Sequence, residues 1–163
     1  MASKPTQRSL EYLRGEGWLV GIVETWNMGA KIRQDLFGFA DLVAVHPGKV
    51  GTYYVQVTSG GNLAARRTKI LAEPRAHQIL TCGNRVLLHG WRKVKKKKKD
   101  GSWSKVYQYE LRHEEVTLDQ FPKDVRWVSH EDDKARAKVV KEDRKLSEKL
   151  KTEAAAEKAA GLR

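Results

Sequence analysis

The sequence predicts a small α/β or α+β domain with a central sheet. Helical segments alternate with apolar runs that are short enough to be strands. Gly, Pro and Asn residues separate these segments where turns are needed. Beyond residue 121 apolar residues become sparse and charged residues dominate. We therefore predict a folded domain over residues 1–121 and a charged, helical or partly disordered tail over residues 122–163.

The first half of the domain is predicted to contain one helix and three strands. Thr6 can cap a short helix over residues 7–14. The apolar run over residues 18–24 is typical of a buried strand. Residues 37–45 and 53–58 follow as two more strands, joined by a turn rich in Gly and Pro.

The remaining elements complete the predicted sheet. Residues 26–34 indicate a polar connection, and residues 63–73 a helix that Pro74 interrupts. Strands are expected over residues 85–94 and 107–116. Between them Asp100-Gly101 favours a hairpin turn, so the last two strands form a basic β-hairpin.

Asp41 and Gln56 are predicted to face each other across the hairpin of the second and third strands. If this hairpin folds about Gly48-Lys49, the two residues are directly opposed, with Cβ atoms roughly 4.5–5.5 Å apart. Thr58 then shares the face of Gln56 because side chains alternate along a strand. Buried oxygen-bearing side chains are costly and suit a hard cation such as Mg²⁺. The alternative is a plain hydrogen bond between the carboxylate and the amide.

The charge of the chain predicts a polyanionic partner. Its 32 Lys and Arg residues exceed its 20 acidic residues and give a formal net charge of +12, which attracts nucleic acid. No run approaches the roughly 20 apolar residues that span a bilayer. The N-terminus lacks the apolar core of a secretory signal, and the single cysteine excludes a disulfide framework. We therefore expect a cytoplasmic protein that binds no membrane.

Two basic segments are candidate nucleic-acid contacts. A Gly-rich loop ending at Asn62 precedes Arg66, Arg67 and Lys69, and could cradle a phosphate at a helix N-terminus. The alternative is a solvated helix face. Lys31 and Arg33, in the polar connection, are further candidates.

The second segment is the tip of the predicted basic hairpin. Its lysines can contact phosphates, and the nearby tryptophan can stack on a base or pack on lysine stems. The alternative is a solvated turn. The candidate residues are Lys95, Lys96, Lys97, Lys98 and Trp103.

The predicted order of elements resembles the αβββαβ core of the PD-(D/E)XK, or restriction-endonuclease-like, nucleases. In that family an Asp on one strand precedes an acid or Gln, any residue, and Lys on the next strand. Ala40-Asp41 and Gln56-Val57-Thr58 match this split motif in part. The chain is most similar to the branch of archaeal Holliday-junction resolvases and related phage nucleases, whose N-terminal helix carries a Glu. Glu11 matches that position, and the similarity covers about residues 8–91.

The resemblance implies a site that holds Mg²⁺ or Mn²⁺. Asp41, Gln56, the backbone carbonyl of Val57 and Glu11 would be its ligands, with Glu24 as a less favoured carboxylate than Glu11. The metal would polarise the scissile phosphate and lower the pKa of the attacking water.

Four further residues bear on this site. Thr58 replaces the usual Lys and cannot carry its charge, so Lys31 or Lys69 would have to supply the ammonium. Asp35 is either a further ligand or a strand-entry residue paired with Arg33.

We therefore expect a metal-dependent endodeoxyribonuclease that acts on branched or junction DNA as a homodimer, in the host cytoplasm if a phage encodes it. The alternative is a non-catalytic nucleic-acid-binding module on a degenerate nuclease fold.

Overall fold

The structure is a computed structural model that describes most of the chain. The described residues are 4–29, 31–99, 101–126, 128–129, 131–132, 134–135, 138–139, 142, 145–150 and 152–153. The chain divides into two compact units, Met1–Arg126 and Trp127–Arg163. In the second unit, residues 145–150 are helical and exposed. None of the described helices is long and apolar enough to cross a membrane.

Five strands of the first unit form a mixed sheet. They are β1 (Leu19–Ile22), β4 (Leu42–Val45), β5 (Tyr53–Ser59), β6 (Arg85–Lys97) and β7 (Trp103–Val116), in the order β1-β4-β5-β6-β7. Strands β5 and β6 are parallel, and the other neighbours are antiparallel. A separate two-stranded sheet consists of β2 (Thr25–Asn27) and β3 (Ile32–Gln34).

Helices cover the sheet on both faces. Helix α1 (Lys4–Gly15) packs its buried Leu10 and Leu13 on one face, against Val55 and Val57 of β5. Helices α2 (Leu63–Leu71) and α3 (Pro74–Thr81) contact the sheet through a second apolar cluster. Its buried members are Phe39, Ala40, Leu63, Ile70, Ala76, Ile79, Leu80, Val86, Leu88, Val116 and Phe121. The predicted α/β class with a central mixed sheet is confirmed.

Several predicted boundaries were wrong. Helix α1 begins at Lys4, so Thr6 lies inside it and is buried instead of capping it. Residues 26–34 form most of the hairpin β2–β3 rather than an irregular connection, with Trp26 paired to Arg33. Strands β6 and β7 extend further than predicted, so Lys95, Lys96 and Lys97 belong to a strand and not to a hairpin tip.

The predicted strand over residues 37–45 is interrupted by a tight loop. Leu36 and Ala40 exchange two backbone hydrogen bonds of 2.9 Å, which close the loop between them. Phe37 and Gly38 both adopt positive φ, at 53° and 80°. An aromatic residue rarely adopts this conformation, so the sequence pattern did not reveal the loop. The strand itself starts only at Leu42.

The N-terminus of helix α3 packs against this loop. Its N-cap residue Glu73 is buried and accepts two hydrogen bonds from the Arg75 guanidinium, at 2.7 and 3.0 Å. A Cβ atom on Gly38 would lie 3.1 Å from Arg75 Nη2 and 3.4 Å from Glu73 Oε2. The loop therefore rests directly on a bidentate ion pair, which fixes its position.

Candidate metal centre

Asp41 and Gln56 meet across β4 and β5 as the sequence predicts. Leu42 pairs with Val55, so the register runs about Gly48-Lys49. The Gln56 Nε2 donates to Asp41 Oδ2 at 2.6 Å, and the backbone N–H of Val57 donates to the same oxygen at 2.6 Å. Asp41 is 6% exposed and Gln56 is 1% exposed. The predicted cross-strand pair is confirmed.

Three carboxylates converge at this point. Oxygen atoms of Glu24, Asp35 and Asp41 all lie within 4.8 Å of one another. Each residue stands at a strand end: Glu24 before β2, Asp35 after β3 and Asp41 before β4. Backbone N–H groups of Val23 and Glu24 donate to the Asp41 carbonyl at 2.9 and 3.3 Å, which holds Glu24 beside Asp41. The closed loop of residues 36–40 reverses the chain, so that Asp41 lies beside Asp35.

The carboxylates line an open cavity of about 430 Å³. Thr6 of α1 and Arg66 of α2 contribute to its wall, so elements from both faces of the sheet meet there. The full lining is Thr6, Glu24, Arg33, Asp35, Asp41, Gln56, Val57 and Arg66.

The burial of Asp41 disfavours its charge. The pKa of the Asp41 carboxyl is raised to about 6, chiefly by desolvation and in part by the neighbouring charges of Asp35 and Glu24. The hydrogen bonds from the Val57 N–H and from Gln56 lower it. A cation at this place would offset both the repulsion and the desolvation, because it favours the ionised form of each carboxylate.

Gln56 adjoins the carboxylates through its amide nitrogen, which donates to Asp41 and lies 3.4 Å from the Val57 carbonyl. Its Oε1 is buried and has no hydrogen-bond partner among the described residues, which is costly for an acceptor. The three carboxylates form a donor set suited to Mg²⁺ or Mn²⁺.

Cationic side chains surround the carboxylates. Arg33 forms an ion pair with Glu24. The Lys69 ammonium lies 3.4 Å from Asp35 Oδ2, and both side chains are partly exposed. Lys69 thus lies beside the carboxylate group, as the sequence analysis anticipated for a substitute ammonium.

Two other predicted site residues lie elsewhere. Glu11 is exposed on α1, accepts a hydrogen bond from Gln7 at 3.0 Å, and lies outside the cavity lining. Its position as a metal ligand is therefore wrong, and Glu24 stands at the site instead. Thr58 is buried on β5 opposite Gly90 and is also absent from the lining.

The predicted nucleic-acid contacts have diverse environments. Lys31 is exposed on the β2–β3 turn with φ 50°. Asn62 is exposed before α2, and its side chain makes no capping hydrogen bond. Arg67 is ion-paired with Glu114 of β7. Lys95, Lys96, Lys97 and Lys98 are exposed, and Trp103 is 60% exposed.

Asp35, Glu24 and Thr6 line the cavity, although the sequence pattern favours none of them as a site residue. The available signal for Asp35 was Gly38 between two aromatic residues, which can mark a reversal of the chain. For Thr6 the signal was its spacing from Ser9, Leu10 and Leu13 on the buried face of α1.

Comparison of the chain with protein-family models, with curated proteins and with solved structures returned no match. The case for a function therefore depends on the geometry of the cavity.

Proposed function

We propose that this chain is an endodeoxyribonuclease that requires Mg²⁺ or Mn²⁺ and has a PD-(D/E)XK-type αβββαβ core. The observation that carries the proposal is the convergence of Glu24, Asp35 and Asp41 within 4.8 Å on an open cavity. The hydrogen bonds that Gln56 and the Val57 N–H donate to Asp41 support it, because they hold the carboxylate at the cavity.

The topology supports the same proposal. When the β2–β3 hairpin is treated as an insertion, the order is a helix, three strands, helices α2 and α3, and strand β6, with β7 following as an additional strand. Asp41 and Gln56 stand side by side at β4 and β5, which is the arrangement expected of the split motif.

The chain's own residues would hold the metal through oxygen atoms. Asp41 and Asp35 are the principal carboxylate ligands, with Glu24 as the other donor. Such a metal polarises a phosphate and lowers the pKa of bound water. The hydrogen bonds from Gln56 and the Val57 N–H orient the Asp41 carboxylate toward this role.

Lys69 and Arg66 would act on the DNA. Arg66 lines the cavity, and the Lys69 ammonium lies beside Asp35. Both can neutralise charge on a phosphate that enters the cavity. Lys69 would then replace the motif Lys, whose position is occupied by Thr58 in this chain. It would do so from α2 rather than from β5.

A second candidate is a binding module without catalysis. It is favoured by the neutral Gln56 at the position of the usual acid and by Thr58, which lies outside the cavity. In this case the basic residues bind DNA, and the carboxylates support no cleavage.

Cleavage separates the two candidates. The full chain is incubated with labelled four-way-junction, flap and linear DNA in Mg²⁺ or Mn²⁺, beside Asp41→Asn. The control Glu16→Gln removes one exposed acidic charge from outside the cavity lining. We expect cleavage by the wild type and by Glu16→Gln, and none by Asp41→Asn, which still binds DNA. Binding without cleavage in either metal would establish the binding module.

The proposed action on junctions requires two centres, so we expect a homodimer. The edge strand β1 exposes Leu19 and Ile22, at 76% and 44%, and offers an apolar contact. Light scattering coupled to size exclusion measures the mass directly. A monomeric mass at assay concentrations would restrict the proposal to single-strand nicking.

A further inference from the structure

Three lysine–aromatic pairs stand in register on the β6–β7 hairpin. Lys93 pairs across the strands with Tyr109, Lys95 with Tyr107, and Lys97 with Trp103. Because directly paired residues share a face of the sheet, the three pairs form one row, which we call the lysine–aromatic ladder. A bulge between Lys95 and Lys97 separates the last pair from the first two.

The ladder is exposed and positively charged. Its rings are 60% exposed at Trp103 and 44% exposed at both Tyr107 and Tyr109. The ammonium groups of Lys93 and Lys95 lie 4.0 and 5.1 Å from the centre of the Tyr107 ring.

Cations also lie over the rings at both ends of the ladder. Lys97 lies 5.4 Å from the Trp103 ring, and the guanidinium of Arg8 lies 3.5 Å from the Tyr109 ring. Each cation covers part of one ring face, so a base would stack on the face that stays exposed.

The ladder projects beyond the neighbouring strand. The last pair between β5 and β6 is Ser59 with Trp91, so residues 92–97 of β6 have no strand partner on that side among the described residues. Val57, which lines the cavity, pairs with His89. At about 3.3 Å per residue, the ladder begins roughly 13 Å beyond this level and ends roughly 26 Å beyond it.

We propose that the ladder binds an unpaired DNA strand, with bases stacked on Trp103 and Tyr107 and phosphates on the lysines. Base stacking on aromatic side chains is tolerant of sequence, and lysines neutralise the backbone. Along β6 successive rungs are separated by two residues, about 7 Å, which is close to the spacing of nucleotides in an extended strand. Along β7 the bulge places Trp103 four residues from Tyr107. That the bound polymer is DNA rests on the proposed function. The ladder adds the substrate class, which is DNA with a single-stranded segment.

Duplex DNA fits the ladder less well. Its bases are stacked on one another inside the helix, so exposed rings cannot reach their faces without unstacking them. A duplex would use the lysines alone, and the aromatic residues would then contribute nothing to its affinity.

Fluorescence anisotropy in EDTA tests this without any cleavage. The probes are a labelled oligothymidine of about 20 nucleotides and a duplex of equal length. The variants are Trp103→Leu, Tyr107→Leu, Trp103→Phe and Lys95→Gln. The control Lys49→Gln removes the same charge from the β4–β5 turn, at the other end of β5.

We expect each Leu variant to weaken single-strand binding roughly tenfold at an unchanged salt dependence, with duplex binding unaffected. Trp103→Phe should restore most of the affinity. Lys95→Gln should reduce the slope of log K against log salt by about 0.7 for the single strand, and Lys49→Gln should not. Equal losses on both probes, or none on the single strand, would overturn the ladder. Neither result bears on the proposed metal centre, because Asp41→Asn tests that centre separately.

Discussion

The carboxylates of Asp35 and Asp41 lie within 4.8 Å of each other, on either side of the backbone bridge between Leu36 and Ala40. The loop that joins them forces this approach, and Glu24 adds a third negative charge. Arg33 and Lys69 relieve part of the repulsion from outside. The raised pKa of Asp41 shows that the repulsion and the burial are not fully compensated. The convergence of these carboxylates therefore lowers the stability of the metal-free fold.

Asp41→Asn should therefore stabilise the metal-free protein. In the folded state the pKa of Asp41 is about 6, against an ordinary value of 3.8. Between these values the folded chain holds a proton that the unfolded chain has lost, so stability falls as the pH rises. The gain from Asp41→Asn should be small near pH 4, grow up to about pH 6, and reach on the order of 3 kcal/mol. Denaturant unfolding in EDTA across this range measures it.

Two results bound this prediction. Glu16→Gln, an exposed substitution of the same charge, should give a difference that does not grow with pH. A destabilised Asp41→Asn at pH 7 would mean that the carboxylate contributes to the fold through its two hydrogen bonds more than its burial costs.

His89 should give the opposite dependence on pH. It is 1% exposed, and its Nδ1 lies 3.1 Å from Ser9 Oγ. Trp91 Nε1 can only donate and does so to the same hydroxyl at 2.8 Å. Ser9 can therefore donate its own proton to neutral His89. Burial, and to a lesser extent the neighbouring His113, lowers the pKa of His89 to about 4.

In the unfolded chain His89 binds a proton below its ordinary pKa of 6.5. In the folded chain it binds that proton only below about pH 4. Stability from this residue is therefore complete above about pH 6.5 and is lost as the pH falls toward 4. His89→Gln should be destabilised at pH 7, and its deficit against the wild type should shrink toward pH 4. Thermal melts at matched pH values test this, and a deficit that is constant with pH would refute the assignment.

Gly38→Ala should disturb the metal centre through the loop. An Ala there must adopt a φ of 80°, and its Cβ meets the Arg75 guanidinium at 3.1 Å. Gly101 has the same φ with nothing within 4 Å, so Gly101→Ala is a matched control. Both should cost about 1–2 kcal/mol from the backbone alone. Gly38→Ala should cost more and should weaken Mn²⁺ binding, whereas Gly101→Ala should bind Mn²⁺ normally.

Lys69→Gln should slow cleavage more than it weakens DNA binding. The ammonium lies beside Asp35, where charge on the phosphate would develop, and one such interaction typically contributes 10²–10³ in rate. Lys69→Arg should keep part of the activity because it keeps the charge. Single-turnover cleavage and anisotropy on the same junction separate the two effects. A rate equal to the wild type in Lys69→Gln would remove Lys69 from the site.

The sequence was sufficient for the pairing of Asp41 with Gln56, because turn residues and the two-residue period of strands determine register. It was not sufficient for the other two carboxylates. Asp35 reaches the site through a positive φ at Phe37, which no propensity favours. Glu24 reaches it because residues 25–34 form a hairpin of their own. The prediction of Glu11 as a ligand failed because only one face of a helix packs against the sheet. In α1 that buried face carries Thr6 and Ser9.

The binding of Mn²⁺ to the full chain, followed by the electron paramagnetic resonance of the free ion above about pH 7 where Asp41 is ionised, tests the central claim most directly. Wild type and Glu16→Gln should bind Mn²⁺ with equal affinity, and Asp41→Asn should lose that binding while remaining folded. Equal Mn²⁺ binding by Asp41→Asn and the wild type, or none by the wild type, would contradict a metal centre built on Asp41.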